Sequence, residues 1–177
     1  MKMNNLVVDE VEYVAKDFEG IIKVIPTCFS LTCEGKNKLC LQVPDACSLE
    51  IFLADKSSLE IEIAGDTNVA HKKIEIVQHN DTKLDFRYAF SSDKEITLNV
   101  VNVIKGNGNS SRVQIRNIAY GGRTKITVLA DVAKNTKDNE IVEDLKGIEY
   151  GGKIEINPDM QIYTNEVVAN HFVTIGT

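Results

Sequence analysis

Four cysteines near the N-terminus have the side-chain chemistry of a soft-metal site. They are Cys28, Cys33, Cys40 and Cys47. Thiolates are the preferred ligands of iron–sulfur clusters and structural zinc. The cysteines are separated by four, six and six residues, however, and most such sites contain a pair separated by two. Cysteine is also a small apolar residue that packs well inside β-structure. Metal ligation and buried, inert thiols both stay open, and the spacing favours inert thiols.

His171 is the best single candidate for a metal ligand. A neutral imidazole binds iron or zinc well. Glu166 lies five residues earlier and is the nearest carboxylate that could join it. On a regular strand, a separation of five residues puts the two side chains on opposite faces, so Glu166 would need a bulge or a partner chain to reach the site. The alternative is a histidine at a sheet edge or a dimer contact.

Strands must position these residues, because the hydrophobic pattern has a period of two along most of the chain. Leu39, Leu41 and Val43 alternate with polar neighbours, and later segments repeat the alternation as far as Ile154 and Ile156. Such alternation is typical of a half-buried strand. Turn-forming clusters separate the runs at intervals of roughly ten residues. The sequence therefore predicts an all-β protein.

The secondary structure of two segments is less clearly indicated by the sequence. Residues 1–20 could form an edge strand or a short amphipathic segment. A turn or two of helix is an alternative over residues 138–146, where Ile141, Val142 and Leu145 could share one side and Gly147 could stop the helix. The strands predicted on both sides disfavour that helix. At 177 residues, the chain is expected to form one domain.

Two all-β architectures compete for this pattern, a β-sandwich and a β-solenoid, also called a parallel β-helix. A solenoid stacks short strands so that each coil buries its inward side chains against the next coil. The low aromatic content of 6% and the absence of Trp disfavour an immunoglobulin-type sandwich. Periodicity by itself only slightly favours the solenoid.

The C-terminal part contains three ordered blocks that resemble a known family. Residues 158–171 read PDMQIYTNEVVANH, residues 131–140 read DVAKNTKDNE, and residues 109–116 read NSSRVQIR. Together with the segment GKIEI at 152–156, they resemble the β-helical core of the SufB/SufD family. Two positions depart from that family's closing pattern, with Ala169 in place of a cysteine and Phe172 in place of a glycine.

The resemblance implies a right-handed parallel β-helix and a role in iron–sulfur cluster assembly. Members of the family act as a platform beside an ABC-type ATPase, SufC. The implied partners are a SufC-like ATPase, a SufB-like paralogue, or a second copy in a homodimer. The resemblance also places His171 at a position associated with cluster assembly, with transient iron or a cluster as cargo. The helical regions that flank the core in full-length members have no counterpart here, so we expect a core-only member.

Charge and composition exclude other classes of function. The net charge of −6, with basic residues scattered among more numerous acids, argues against nucleic-acid binding. Neither a run of about 18 apolar residues nor an apolar leader in residues 1–19 is present. We therefore expect a cytoplasmic protein with reduced cysteines and no membrane span.

A binding and scaffold role, rather than catalysis, is the leading hypothesis for function, since no recognisable nucleophile–base pair appears in the sequence. A degenerate relative that keeps only the fold is one alternative. A β-helical enzyme acting on polysaccharides is another, although such enzymes are usually longer and secreted.

Overall fold

The computed structural model describes residues 4–44, 48–65 and 71–177, and for His71 it describes the backbone only. In this part of the chain there are fifteen strands and no helix. The strands are β1 Asn4–Val8, β2 Glu12–Lys16, β3 Glu19–Val24, β4 Cys28–Glu34, β5 Lys36–Val43, β6 Ser48–Leu53, β7 Ser58–Gly65, β8 His71–Gln78, β9 Lys83–Ser92, β10 Ile96–Ile104, β11 Ser110–Ala119, β12 Arg123–Val132, β13 Asn139–Glu149, β14 Lys153–Ile162 and β15 Val167–Gly176.

The strands form two parallel sheets in which the chain alternates from one sheet to the other. Odd-numbered strands make an eight-stranded sheet in chain order, and even-numbered strands make a seven-stranded sheet in the same way. Each coil therefore contributes one strand to each sheet and stacks on the coil before it. This confirms the predicted parallel β-helix and excludes the β-sandwich, while its right-handed sense stays a prediction.

Along each strand, buried side chains that point into the interior alternate with more exposed side chains on the outer face of the sheet. On β10, for example, Leu98 and Val100 are buried and lie in register with Ile126 and Val128 of β12. Similar stacks of Ile, Leu and Val continue through both sheets and form one long core. A second, smaller cluster consists of Ile104, Ala130, Val132 and Ile141. The β-branched side chains suit this arrangement because they pack against the same kind of residue in the next coil.

The coils lengthen towards the C-terminus. Asn4 pairs with Gly20, sixteen residues away, whereas Ser111 pairs with Ile141, thirty residues away. Strand length rises over the same interval, from five residues in β1 to eleven in β13. The C-terminal coils are therefore the larger ones.

The two weaker segments of the sequence both turn out to be strands. Residues 1–3 lie outside the described residues, and residues 4–20 contain β1, β2 and the start of β3 rather than a helix. The alternative helix over residues 138–146 does not form either, because β13 covers this stretch with alternate side chains buried. None of the described residues belongs to a helix that could cross a membrane.

A ladder of buried amides and hydroxyls holds the corner where the chain passes from the seven-stranded to the eight-stranded sheet. Asn109 Oδ1 accepts hydrogen bonds from the backbone N–H of Thr82 at 3.0 Å and from its hydroxyl at 2.6 Å. Asn139 Oδ1, one coil further on, accepts from the backbone N–H of Asn109 at 3.0 Å and from its Nδ2 at 3.1 Å. The ladder satisfies turn groups that water cannot reach.

Replacing Asn109 with Ala should destabilise the protein, because the amide and hydroxyl of Thr82 would lose their shared acceptor. The expected loss is about 1–3 kcal/mol, measured as a lower urea midpoint. Asn99→Ala is the control, since Asn99 is partly exposed on the outer face of β10 and should cost about 0.5 kcal/mol or less. Equal midpoints for the two variants would contradict a stabilising ladder.

Candidate functional site

The last strand brings His171 onto the inward face of the solenoid. β15 pairs in parallel with β13, and the register sets His171 beside Glu143. Adjacent strands lie about 4.8 Å apart, and register partners point to the same side of a sheet. Glu143 and its neighbours Ile141 and Leu145 are buried towards the interior. His171 therefore occupies the matching inward position, directly over a buried carboxyl group.

Among the described residues, β15 is the last strand of the eight-stranded sheet and pairs with β13. His171 is exposed there. Val173 and Ile175 follow on the same face and are 40% and 43% exposed. The C-terminal end of the solenoid thus presents one imidazole beside accessible apolar side chains.

Glu143 is unusual at this end of the solenoid because it is a buried carboxylic acid. Its side chain is only 1% exposed, and neither carboxylate oxygen has a hydrogen-bond partner among the described residues. Burial, with a smaller contribution from the negative charge of Asp159, raises the pKa of Glu143 to about 7. The group therefore gains and loses its proton near neutral pH.

Asp159 belongs to β14, the terminal strand of the seven-stranded sheet. It follows Pro158, a residue without a backbone N–H. An edge strand tolerates proline because its outer side has no neighbouring strand that needs a hydrogen bond from that position. Asp159 is exposed. One imidazole, one buried carboxyl group and one exposed carboxylate therefore lie at the same end of the molecule.

This end can exchange a proton and can offer one or two ligands to a cation. No group of three or more His, Cys, Asp or Glu side chains in the described part of the chain is arranged to hold a metal ion. A metal held at His171 would therefore need donors from another molecule to complete its coordination.

Glu166 does not join His171. It lies in the turn before β15 and is exposed, and its backbone N–H donates to Thr164 Oγ1 at 3.2 Å. The residue in register with His171 is Glu143, which comes from the neighbouring coil and lies 28 positions earlier in the sequence. The predicted approach of Glu166 through a bulge or a partner chain stays a prediction.

The alternating pattern did contain a signal for Glu143. Ile141 and Leu145 are inward residues of β13, and period two puts the residue midway between them on the same side. The competing helical interpretation of this stretch hid that placement.

The three described cysteines do not converge. Cys33 is buried in the core on β4, and Cys28 is exposed at the start of the same strand. Cys40 is half-buried on the outer face of β5 beside Glu62. Burial raises the pKa of Cys33 to about 12, and burial together with Glu62 raises that of Cys40. Cys47 lies outside the described residues, so a four-cysteine site stays untested.

No known protein-family model matches the chain, and none of the curated proteins matches it. The resemblance to the SufB/SufD family therefore rests on the motif blocks of the sequence.

The pH dependence of the free energy of unfolding should reveal the raised pKa of Glu143. A carboxyl group whose pKa rises from 4.5 to about 7 on folding binds its proton more tightly in the folded state. Its contribution is therefore present in full below pH 4.5 and is lost as the pH rises through 7. Glu143→Gln removes this dependence, so the variant should gain about 2–3 kcal/mol relative to wild type between these limits.

Denaturant unfolding at several pH values measures that difference. Glu140→Gln is the matched control, because it changes an exposed carboxylate on the same strand. A difference between Glu143→Gln and wild type that does not vary with pH would contradict the assignment.

Cysteine alkylation under native conditions should follow burial. Cys28 is expected to react quickly, Cys40 slowly, and Cys33 only after unfolding, because its thiol is both enclosed and protonated at neutral pH. Peptide mass spectrometry after timed iodoacetamide treatment gives the order. Early modification of Cys33 would show that the N-terminal coils open readily.

Proposed function

We propose that this chain is a non-enzymatic scaffold subunit of the SufB/SufD type, acting with an ABC-type ATPase in iron–sulfur cluster assembly. The observation that carries the proposal is the pairing of β15 with β13, which sets the exposed His171 in register with the buried Glu143. These two groups can receive a partner and can handle iron transiently as cargo.

The parallel β-helix supports this proposal because it is the fold that the family resemblance implies. The solenoid carries His171, the candidate ligand of the closing motif, to its last strand. A ligand at the end of a rigid stack lies where two subunits can meet. This geometry suits a platform protein better than it suits an enzyme that encloses its substrate.

The chemistry of the end also suits a shared site. His171 supplies one nitrogen donor, and Glu143 can neutralise its own charge by taking up a proton near pH 7. Ala169, two residues before His171, offers no thiolate. A partner subunit that contributes a cysteine would then complete a site that this chain only begins.

Anaerobic co-expression with a SufC-like ATPase tests the proposal. We expect the two proteins to co-purify, with iron and acid-labile sulfide present when a SufB-like subunit is included. His171→Ala should lower the iron affinity by about tenfold or more. His79→Ala is the control, because His79 is exposed on a turn far along the chain from β15.

Each alternative predicts a different result. A degenerate relative that keeps only the fold would form its complexes with the same iron content after His171→Ala. A polysaccharide-acting enzyme would cleave members of a substrate panel. Finding neither a complex with the ATPase nor bound iron would overturn the proposal.

A further inference from the structure

One corner turn contains the dipeptide in which an asparagine side chain is chemically most labile. Asn107 precedes Gly108, and no other asparagine of the sequence is followed by glycine. Because glycine has no side chain, its backbone nitrogen can approach the amide carbon of the preceding asparagine with little steric hindrance. Asn107 is partly exposed and Gly108 is exposed, so solvent reaches both residues. The sequence of this turn therefore favours deamidation, in which the asparagine side chain loses ammonia.

The fold requires both residues at this turn. Gly108 has a φ of +72°, in the left-handed region that glycine adopts at little cost. Asn107 belongs to an outer ladder of side chains at the corner that leads from the seven-stranded to the eight-stranded sheet. Asp55 Oδ1 accepts a hydrogen bond from the backbone N–H of Asn80 at 2.9 Å, and Asn80 Oδ1 accepts one from that of Asn107 at 2.9 Å. The same dipeptide thus stabilises the turn and makes it labile.

The turn of the next coil, residues 133–138, holds both reacting groups. The backbone N–H of Lys137 donates to Asn107 Oδ1 at 2.8 Å, which fixes the side-chain amide against that coil. The backbone N–H of Gly108 donates to the carbonyl oxygen of the same lysine at 3.1 Å. Deamidation requires the Gly108 nitrogen to lose its proton and to approach Asn107 Cγ, and each hydrogen bond opposes one of these steps. Stacking of the coils therefore keeps the dipeptide unreactive.

We propose that Asn107 is a deamidation site whose reaction is controlled by the stacking of residues 133–138. When this turn opens, the Gly108 nitrogen loses its proton to solvent and bonds to Asn107 Cγ, while the bond between Cγ and the side-chain nitrogen breaks. That nitrogen takes up a proton and leaves as ammonia, and a cyclic succinimide remains. Water then adds to one of the two succinimide carbonyl groups and opens the ring to aspartate or isoaspartate. No oxidant or reductant takes part.

Isoaspartate at position 107 does not fit the stacked corner. Its main chain runs through the former side chain, so the backbone and side-chain oxygens exchange their places. In the folded protein the backbone oxygen of Asn107 accepts from the N–H of Asp81 at 2.9 Å in the coil before, and its side-chain oxygen accepts from Lys137 in the coil after. The modification is therefore a lasting covalent record that the turn has opened. This inference goes beyond the scaffold role, because it concerns the corner and not His171.

Timed incubation of the native protein tests the proposal, with the urea-unfolded protein as the reference. Peptide mass spectrometry follows the conversion of Asn107 to aspartate and isoaspartate. The folded wild type should react at least about tenfold more slowly than the unfolded chain, because the reaction requires local opening. Equal rates in the two states would overturn the proposal.

Asn139→Ala should raise the rate in the native protein by roughly tenfold, because it removes buried hydrogen bonds that hold this turn to the previous coil. Asn139 Nδ2 donates to the carbonyl oxygen of Gly106 at 3.0 Å, and Asn139 Oδ1 accepts from the backbone N–H of Asn109 at 3.0 Å. The reacting dipeptide itself is unchanged in this variant.

Asn37→Ala is the matched control. Asn37 and Asn139 are both 2% exposed and lie at the same corner, and Asn37 Oδ1 accepts from the backbone N–H of Phe18 at 2.9 Å. Because each coil of a solenoid contacts only its neighbours, this variant should leave the rate at Asn107 unchanged. An equal rise in both variants would overturn the local control, since global unfolding would then limit the reaction. An unchanged rate in Asn139→Ala would also overturn it.

Thr164→Ala tests the same control with all the corner amides intact. Thr164 Oγ1 donates to the carbonyl oxygen of Thr136, the residue before Lys137, at 2.8 Å. Its loss should loosen the turn, so hydrogen exchange in residues 133–140 and deamidation at Asn107 should both increase several-fold. Faster exchange without faster deamidation would show that the contacts of Lys137 do not protect Asn107, and would overturn the proposal.

Discussion

The whole molecule depends on stacking in register between successive coils. Most inward Ile, Leu and Val side chains lie over another apolar residue of the neighbouring coil, as Ile126 lies over Leu98. Polar residues interrupt these columns at a few positions, where Ile104 lies over Gln78 and Ile141 over Ser111. The backbone ladders of both sheets run in parallel with those columns. Polar groups at the corners must be satisfied within the stack, and the ladder through Asn109 does so where the chain turns. The apolar columns of the core, the backbone hydrogen bonds of the sheets and the polar side chains at the corner therefore all impose the same register.

Stacking also determines which side chains remain exposed or lack a hydrogen-bond partner among the described residues. A strand inside the stack pairs with a neighbouring strand on both sides. Among the described residues, β15 pairs on one side only, with β13. His171 is exposed on this strand, and Glu143 is buried without a hydrogen-bond partner among the described residues. An imidazole and a carboxyl group that titrates near neutral pH thus arise where the column of apolar residues is interrupted.

The corners provide a second kind of surface. A repeated segment in a solenoid stacks its side chains. Residues 118–123 read IAYGGR and residues 148–153 read IEYGGK, and stacking brings Tyr120 and Tyr150 edge to face with ring centroids 5.8 Å apart. The lengthening of the coils makes the two ends of the described solenoid unlike one another.

By itself, the alternating pattern of the sequence determined the all-β class and the inward positions, because alternation is a local property of each strand. The preference for a parallel β-helix over a β-sandwich rested on the family resemblance of the C-terminal blocks, and the strand pairing confirmed it. It also indicated His171 as a site residue. Only the tertiary structure decided which side chains meet, because coil length sets the register and varies from sixteen to thirty residues. It placed Glu143 rather than Glu166 under His171 and dispersed the described cysteines Cys28, Cys33 and Cys40. Contacts between coils join residues far apart in sequence, and no local pattern specifies that pairing.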